Sequence, residues 1–178
     1  MKPNYLTILI TTLCIFFNAC HNSNTAPQLQ LADSLIDKRA DSALCILEKL
    51  SIEEISNKSA KAMYALLLTE ALDKNFKSHR NDSLILIAVD YYKDNSNNKL
   101  KTKAYYYLGR VYQDNKEYIK AIEAYLTALK TASPTQAPIL QIYNNLALCY
   151  ESQEFYLPAI KTYKESYATA EKMQDKYG

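Results

Sequence analysis

The sequence has few of the residues from which turns, phosphate loops and metal or catalytic sites are built. It contains two glycines, two histidines and no tryptophan. An all-β sandwich or barrel needs turn-forming residues roughly every 8–12 positions, so that class is not expected. Glycine-rich phosphate loops, histidine pairs with ligand spacing and Cys-x-x-Cys motifs are also missing. We therefore predict no metal, no cofactor and no enzymatic activity.

The sequence also lacks an excess of either charge, because its formal net charge is only +2. Surfaces that bind nucleic acid are usually strongly basic, so nucleic acid is not an expected partner. What the chain does have is an excess of alanine, leucine, lysine, glutamate and tyrosine, which favours helices. These features together predict an all-α fold.

The N-terminus has the pattern of an export signal over residues 1–19. Lys2 is followed by an apolar stretch at 5–17 that is too short to span a bilayer as a helix. Ala19 directly precedes Cys20, which resembles the lipobox of bacterial lipoproteins. An ordinary cleaved signal, with the cysteine incidental, is the alternative.

The lipobox resemblance implies that Cys20 becomes the lipidated first residue of the mature chain. Residues 20–28 are polar and lack an apolar period, so we interpret them as a tether between the lipid and the folded domain. We expect a lipid-anchored protein of the cell envelope, on the periplasmic side of the outer membrane in preference to the cell surface.

The second half of the chain repeats with an offset of 38 residues. Residues 105–112 match 143–150, and residues 118–125 match 156–163. Aromatic and leucine residues spaced three and four apart share one helical face, and the polar segment 113–117 separates two such faces. The repeating unit is therefore predicted to be a helical hairpin, at 102–135 and again at 140–173.

Small and aromatic residues alternate between the two helices of this unit. Gly109 lies in mid-helix, where glycine costs about 1 kcal/mol relative to alanine, so we expect close approach of a partner helix there. The matched position holds Ala147. This pattern resembles tetratricopeptide repeats, and the resemblance implies an α-solenoid, a superhelix of about four hairpins. Residues 99–178 would form two good repeats and residues 29–98 degenerate hairpins.

The first half is periodic but less regular. Residues 60–76 have the pattern of an amphipathic helix, and 81–83 form a cap signal before a helix at 84–92. Residues 29–40 and 41–50 form an earlier candidate pair. Cys45 and Cys149 lie among apolar helix positions, and we predict both to be buried, with a disulfide between them as the alternative.

A lipobox followed by degenerate and then regular repeats resembles tetratricopeptide lipoproteins of the Bacteroidetes type. This resemblance implies a membrane-anchored scaffold or adaptor that binds a protein or peptide. Two alternatives stay open. One is a glycan-binding lipoprotein, and the other is the sensor fragment of a larger tetratricopeptide-containing transcriptional regulator.

The family resemblance also implies a peptide-binding groove on the first helix of each repeat. Carried onto this sequence, its positions are Lys103, Tyr106, Tyr107, Arg110, Gln113, Gln141, Asn144, Asn145, Leu148 and Glu151. We expect an arginine facing asparagine side chains there to hold a carboxylate or a backbone amide of an extended peptide. Tyr106 and Tyr107 are predicted beside the packing face. The tyrosines predicted to pack in the core are Tyr105, Tyr112, Tyr118, Tyr125, Tyr143, Tyr150, Tyr156 and Tyr163.

Overall fold

The computed structural model describes residues 25–79, 81–133 and 138–177. Residues 1–19, Cys20 and the tether up to residue 24 lie outside this description. The described residues form eight α-helices and one short 3₁₀ turn (Ile52–Glu54), with no strand among them. The helices are α1 (Thr25–Leu35), α2 (Ala40–Leu47), α3 (Lys58–Lys74), α4 (Ser83–Tyr92), α5 (Asn98–Asp114), α6 (Tyr118–Thr131), α7 (Ile139–Ser152) and α8 (Tyr156–Tyr177).

The helices pack as four successive hairpins: α1 with α2, α3 with α4, α5 with α6, and α7 with α8. Each hairpin contacts the next through its second helix, and the first helices of neighbouring hairpins also touch. This stacking defines an α-solenoid. The predicted all-α class and the four hairpins are confirmed.

Helix boundaries follow local capping. The side chain of Asn57 accepts a hydrogen bond from Ala60 N at 3.1 Å, so α3 begins two residues earlier than predicted. The chain then turns at Phe76, which has a φ of 55°, and α3 ends at Lys74 instead of residue 76. Residues 25–28, assigned to the tether from composition, lie in α1. Proline is tolerated in a first helical turn because the N–H it lacks has no helical partner there.

The turns of the two regular hairpins are the same. Lys116 after α5 and Glu154 after α7 both have left-handed backbones, with φ of 61° and 59°. The next residue closes the turn in each case, with Glu117 N donating to Tyr112 O at 2.8 Å and Phe155 N to Tyr150 O at 2.9 Å. The 38-residue repeat therefore extends to the backbone hydrogen bonds.

Two apolar clusters form the core. The smaller lies between α1, α2 and α3 and includes Ile36 and Leu47. The larger extends from α3 to α7 and contains Tyr125, which is fully buried. A Cβ atom added at Gly109 would fall within 2.8 Å of three ring atoms of Tyr125. The close helix approach predicted at this glycine is thus present, and the ring of the partner helix occupies the space.

Candidate functional site

A cavity of about 780 Å³ opens on the side of the stack formed by the first helices of the hairpins. Side chains from α1, α3 and α5 line most of it, and the start of α7 closes one end. Its lining consists of Asp33, Ile36, Asp37, Met63, Glu70, Asp73, Lys74, Asn97, Lys99, Leu100, Lys103, Tyr106, Tyr107, Pro138 and Gln141. The cavity thus combines acidic, basic and apolar groups.

Four of the predicted groove residues line this cavity: Lys103, Tyr106, Tyr107 and Gln141. The remaining predicted positions lie away from the cavity lining: Arg110, Gln113, Asn144, Asn145, Leu148 and Glu151. The cavity lies closer to the N-terminus than the predicted groove, because α1, the residues just after it and α3 together supply about half of the lining residues.

Tyr106 and Tyr107 differ from the prediction, which placed them beside the packing face. They are 7% and 4% exposed, because α3 packs against this side of α5. Their rings meet edge to face with centroids 4.9 Å apart, and Asn145 Nδ2 donates to the Tyr106 hydroxyl at 3.4 Å. Burial raises the pKa of Tyr106 to about 12. Both rings therefore form the floor of the cavity and present little free surface to a ligand.

The tyrosines predicted to be core residues are also not equivalent. Tyr125 is fully buried, whereas Tyr156 and Tyr163 are 61% and 36% exposed. The others are half-buried: Tyr105, Tyr112, Tyr118, Tyr143 and Tyr150. The prediction of a common core role is wrong for the α8 pair, because no further helix among the described residues covers them.

Glu70 is the most enclosed charged group in the cavity wall, at 2% exposure. Its Oε1 lies 3.3 Å from Lys74 Nζ, and its Oε2 lies 2.5 Å from Lys103 Nζ. Lys74 also donates to Asp37 on the segment that follows α1. This hydrogen bond holds the pKa of Asp37 below its usual value. One buried carboxylate thus connects α3 to both neighbouring hairpins through lysines.

A second cluster of charged side chains joins α3 and α5 beside the cavity. Arg110 Nε donates to Asp73 Oδ1 at 2.8 Å, and its guanidinium lies 3.7 Å from Asp114 Oδ1. His79 Nδ1 is 2.8 Å from Asp114 Oδ2, and its Nε2 is 3.2 Å from the carbonyl oxygen of Thr69. Arg110 was predicted to hold a ligand. In the fold its guanidinium pairs with Asp73 on α3 and Asp114 on α5, and the ligand role stays a prediction.

Potential ligand atoms of Asp73, His79 and Asp114 lie within 4.8 Å of one another. They are the residues in the described chain whose spacing could suit a metal ion. The Arg110 guanidinium already supplies a positive charge between the two carboxylates, and both histidine nitrogens face protein oxygens. These side chains therefore suit a salt-bridge cluster between α3 and α5 better than a metal site.

Most of the other predicted groove residues serve the contacts between helices. Gln113 Oε1 accepts from the Tyr125 hydroxyl at 2.7 Å, and Asn144 Oδ1 accepts from the Ser166 hydroxyl at 3.0 Å. The Tyr163 hydroxyl donates to Glu151 Oε2 at 3.2 Å. Leu148 is 45% exposed. The polar positions therefore stabilise hairpins.

The two cysteines in the described part of the chain are both free. Cys149 is fully buried, as predicted, and burial raises its pKa to about 11. Cys45 is exposed, contrary to the prediction, because α2 turns this position away from α1 and α3. The disulfide alternative is not observed.

Glu70, Asp73 and Lys74 were missed by the sequence reasoning. All three lie on α3, where Glu70 is spaced three and four residues from the other two in an otherwise apolar segment. That spacing places them on one helix face and was the available signal. It was overlooked because the partners, near α1 and on α5, are about 30 to 40 residues away in sequence.

Comparison with known proteins supports the repeat assignment. Residues 101–172 match the family model of the tetratricopeptide repeat. A crystal structure of MamA aligns with a TM-score of 0.59 at 23% identity, covering 87% of this chain and 83% of that one. A MamA RS-1 ArsTM double mutant aligns with a TM-score of 0.60 at 16% identity, covering 88% and 80%. No curated protein sequence matches the chain. At these identities the likeness concerns the fold.

Proposed function

We propose that this chain is a protein-binding scaffold that holds an extended segment of a partner polypeptide in the cavity along α1, α3 and α5. The observation that carries the proposal is the cavity of about 780 Å³, bounded by charged and apolar side chains from successive first helices. The tetratricopeptide-like fold is consistent with a role in protein interaction. We propose no catalytic step for it.

The cavity chemistry favours a segment with side chains of both charges and at least one apolar anchor. Lys99 and Asp33 lie exposed at its rim, and Ile36, Met63 and Leu100 supply apolar wall. Glu70 inside is already neutralised by lysines. A partner would therefore gain most from rim charges and apolar contact, because charges brought to the interior must compete with existing ion pairs.

The test uses a photo-crosslinking amino acid placed in the full chain expressed in cells. At Gln141, on the cavity rim, we expect capture of a discrete partner. At Lys161, which is 79% exposed on α8 and outside the cavity lining, we expect none of that product. Capture at Gln141 should fall when Asp33→Lys and Lys99→Glu are combined. The same product at both positions, or no effect of the charge reversals, would contradict the proposal.

The membrane attachment is a separate part of the proposal. Its support is the lipobox pattern ending at Cys20, together with an export signal at 1–19. No helix in the described residues has the length and apolar character needed to cross a bilayer. We propose an adaptor tethered in the cell envelope and facing the periplasm. A labelled fatty acid should be incorporated into the wild-type chain and absent from Cys20→Ser, and membrane fractionation should follow the label.

A glycan-binding role is less well supported by the geometry. Sugars stack on exposed aromatic faces, but Tyr106 and Tyr107 at the cavity are 7% and 4% exposed. Calorimetry with an oligosaccharide panel would reinstate this alternative if it gave saturable heat that Asp33→Lys abolished.

A further inference from the structure

The last helix carries a row of aromatic and aliphatic side chains that the described chain covers only in part. The row consists of Tyr156, Ile160, Tyr163 and Tyr167, spaced four, three and four residues apart on one face of α8. Their exposures are 61%, 51%, 36% and 67%. We call these four residues the α8 stripe. It extends over about three helical turns, or roughly 16 Å.

The same four register positions on α6 are covered. Tyr118, Ile122, Tyr125 and Leu129 stand 38 residues before the members of the α8 stripe. Ile122 is 8% and Tyr125 0% exposed, and Tyr118 and Leu129 are half-buried against the same core cluster. α6 packs against α5, where the Tyr125 ring lies on Gly109, and also against α7, whereas among the described helices α8 packs against α7 alone. The difference in burial therefore arises from the neighbouring helix.

The preceding hairpin follows the same rule. On α4, Ile85, Val89 and Tyr92 are 0%, 8% and 3% exposed, and α4 packs against both α3 and α5. Twice within the described chain, therefore, this row is buried on a second helix that also packs against the first helix of the next hairpin. The surface of α8 continues this internal interface and indicates what kind of element fits it.

We propose that the α8 stripe is a docking surface for an amphipathic helix of a partner protein, packed against α8 as α7 packs against α6. The partner helix would present aliphatic and small side chains at three- and four-residue spacing, as α7 does with Ile139, Ile142, Leu146 and Cys149. This site is on a different helix from the cavity and does not rest on the proposed peptide binding.

The shape of the stripe favours a helix over an extended segment. Its residues form a single row along the α8 axis, and rows at this spacing receive the complementary row of another helix. The exposed aromatic rings supply the buried area on which helix docking depends.

The α7 sequence itself is a suitable probe. We would label a peptide of residues 139–152 with fluorescein, replace its cysteine by alanine, and measure fluorescence anisotropy on titration with the full chain. Saturable binding is expected, weakened by the cost of ordering a short free helix. The same peptide with Leu146→Glu should bind at least about tenfold more weakly, because a charge then enters the apolar contact.

Two matched protein variants locate the site. Ile160→Glu, in the stripe, should weaken binding of the α7 peptide by roughly tenfold or more. Leu157→Glu should leave it unchanged. Leu157 is 81% exposed, and its repeat equivalent Ile119 stays 50% exposed even with α7 in place. Both substitutions are at exposed sites, so equal thermal unfolding curves would show that both variants fold.

Equal affinity of the wild-type chain and Ile160→Glu for the peptide would overturn the proposal, as would binding insensitive to Leu146→Glu. Sedimentation of the wild-type chain supplies a further check. If the chain self-associates and Ile160→Glu abolishes this, a second copy of α8 covers the stripe, and a partner helix of the α7 type does not. Failure of the cavity crosslinking would leave this result unaffected, because neither variant is in the cavity lining.

Discussion

The hairpins α5–α6 and α7–α8 have the same sequence pattern and the same turn, yet their second helices lie in different environments. Tyr125 and Tyr163 are equivalent, and each hydroxyl donates to the side chain at the same position of the preceding helix, Gln113 in one case and Glu151 in the other. Tyr125 is fully buried and Tyr163 is 36% exposed. The repeat pattern thus specifies the hairpin, and the next hairpin decides how deeply its residues are buried.

This difference follows from the one-dimensional nature of a solenoid. Each hairpin buries one face within itself and another against its neighbours. The α5–α6 hairpin is covered on both sides, by α3–α4 and by α7, whereas α8 has a covering helix on one side only in the described chain. Substitutions at equivalent positions should therefore have unequal effects.

The largest difference is expected for the equivalent tyrosines. Tyr125→Ala leaves a cavity in the core and should lower the free energy of unfolding by about 3–5 kcal/mol. Tyr163→Ala removes a ring already in contact with solvent and should cost roughly 1 kcal/mol. Urea unfolding followed by circular dichroism measures both. Equal losses would show that the exposed end is as well packed as the interior.

A smaller difference is expected at the next equivalent pair, Arg110 and Leu148. Arg110→Leu gives the inner hairpin the residue of the outer one and leaves the carboxylate of Asp73 without its 2.8 Å donor. We expect a loss of about 2 kcal/mol, because a mostly buried acceptor becomes unsatisfied. Leu148→Arg, at a 45% exposed position, should be nearly neutral. Adding Asp73→Asn to Arg110→Leu should restore part of the stability, and no recovery would contradict the assignment.

Substitutions at the equivalent small residues Gly109 and Ala147 test whether helix propensity or packing decides the sign of the change in stability. Helix propensity alone predicts that Gly109→Ala stabilises by about 1 kcal/mol. Because the new Cβ meets the Tyr125 ring, overpacking of roughly 1–3 kcal/mol should dominate, with a net loss near 1 kcal/mol. Ala147→Gly should lose the propensity of about 1 kcal/mol and, because Ala147 is fully buried, about 0.8 kcal/mol more for the buried methyl group. In a Tyr125→Leu background, Gly109→Ala should become neutral or stabilising, and a persistent loss there would refute the ring clash.

The smallest expected difference is in the reactivity of the two thiols, one buried on α7 and one exposed on α2. Cys149 on α7 faces the inner hairpin and has its pKa raised by burial to about 11, whereas Cys45 is exposed. Site-resolved mass spectrometry should find rapid alkylation at Cys45 and slow alkylation at Cys149 in the folded chain. Burial of the neutral Cys149 thiol contributes stability that is fully present below the ordinary thiol pKa of 9.0 and is lost as pH rises through about 11. Equal alkylation rates at about pH 8, where a free thiol is partly ionised, would show that α7 is open.

Much of the fold could be predicted because its signals are local. The 38-residue offset, the mid-helix Gly109 and the polar turns predicted hairpins that the structure contains. The candidate site was predicted only in part. Tyr106 and Tyr107 were assigned to a ligand surface from repeat positions, but α3 covers them. Glu70 was not singled out, since its importance depends on lysines that other turns and helices bring to it.

The sequence by itself determined that the chain forms helical hairpins of a repeating type, because helix periodicity, turns and small–aromatic pairing act within about 40 residues. Only the tertiary structure decided which tyrosines are buried, where the cavity lies and which stripe stays open. These properties depend on the hairpin stacked against each face, and the sequence of a residue's own repeat does not specify that neighbouring hairpin.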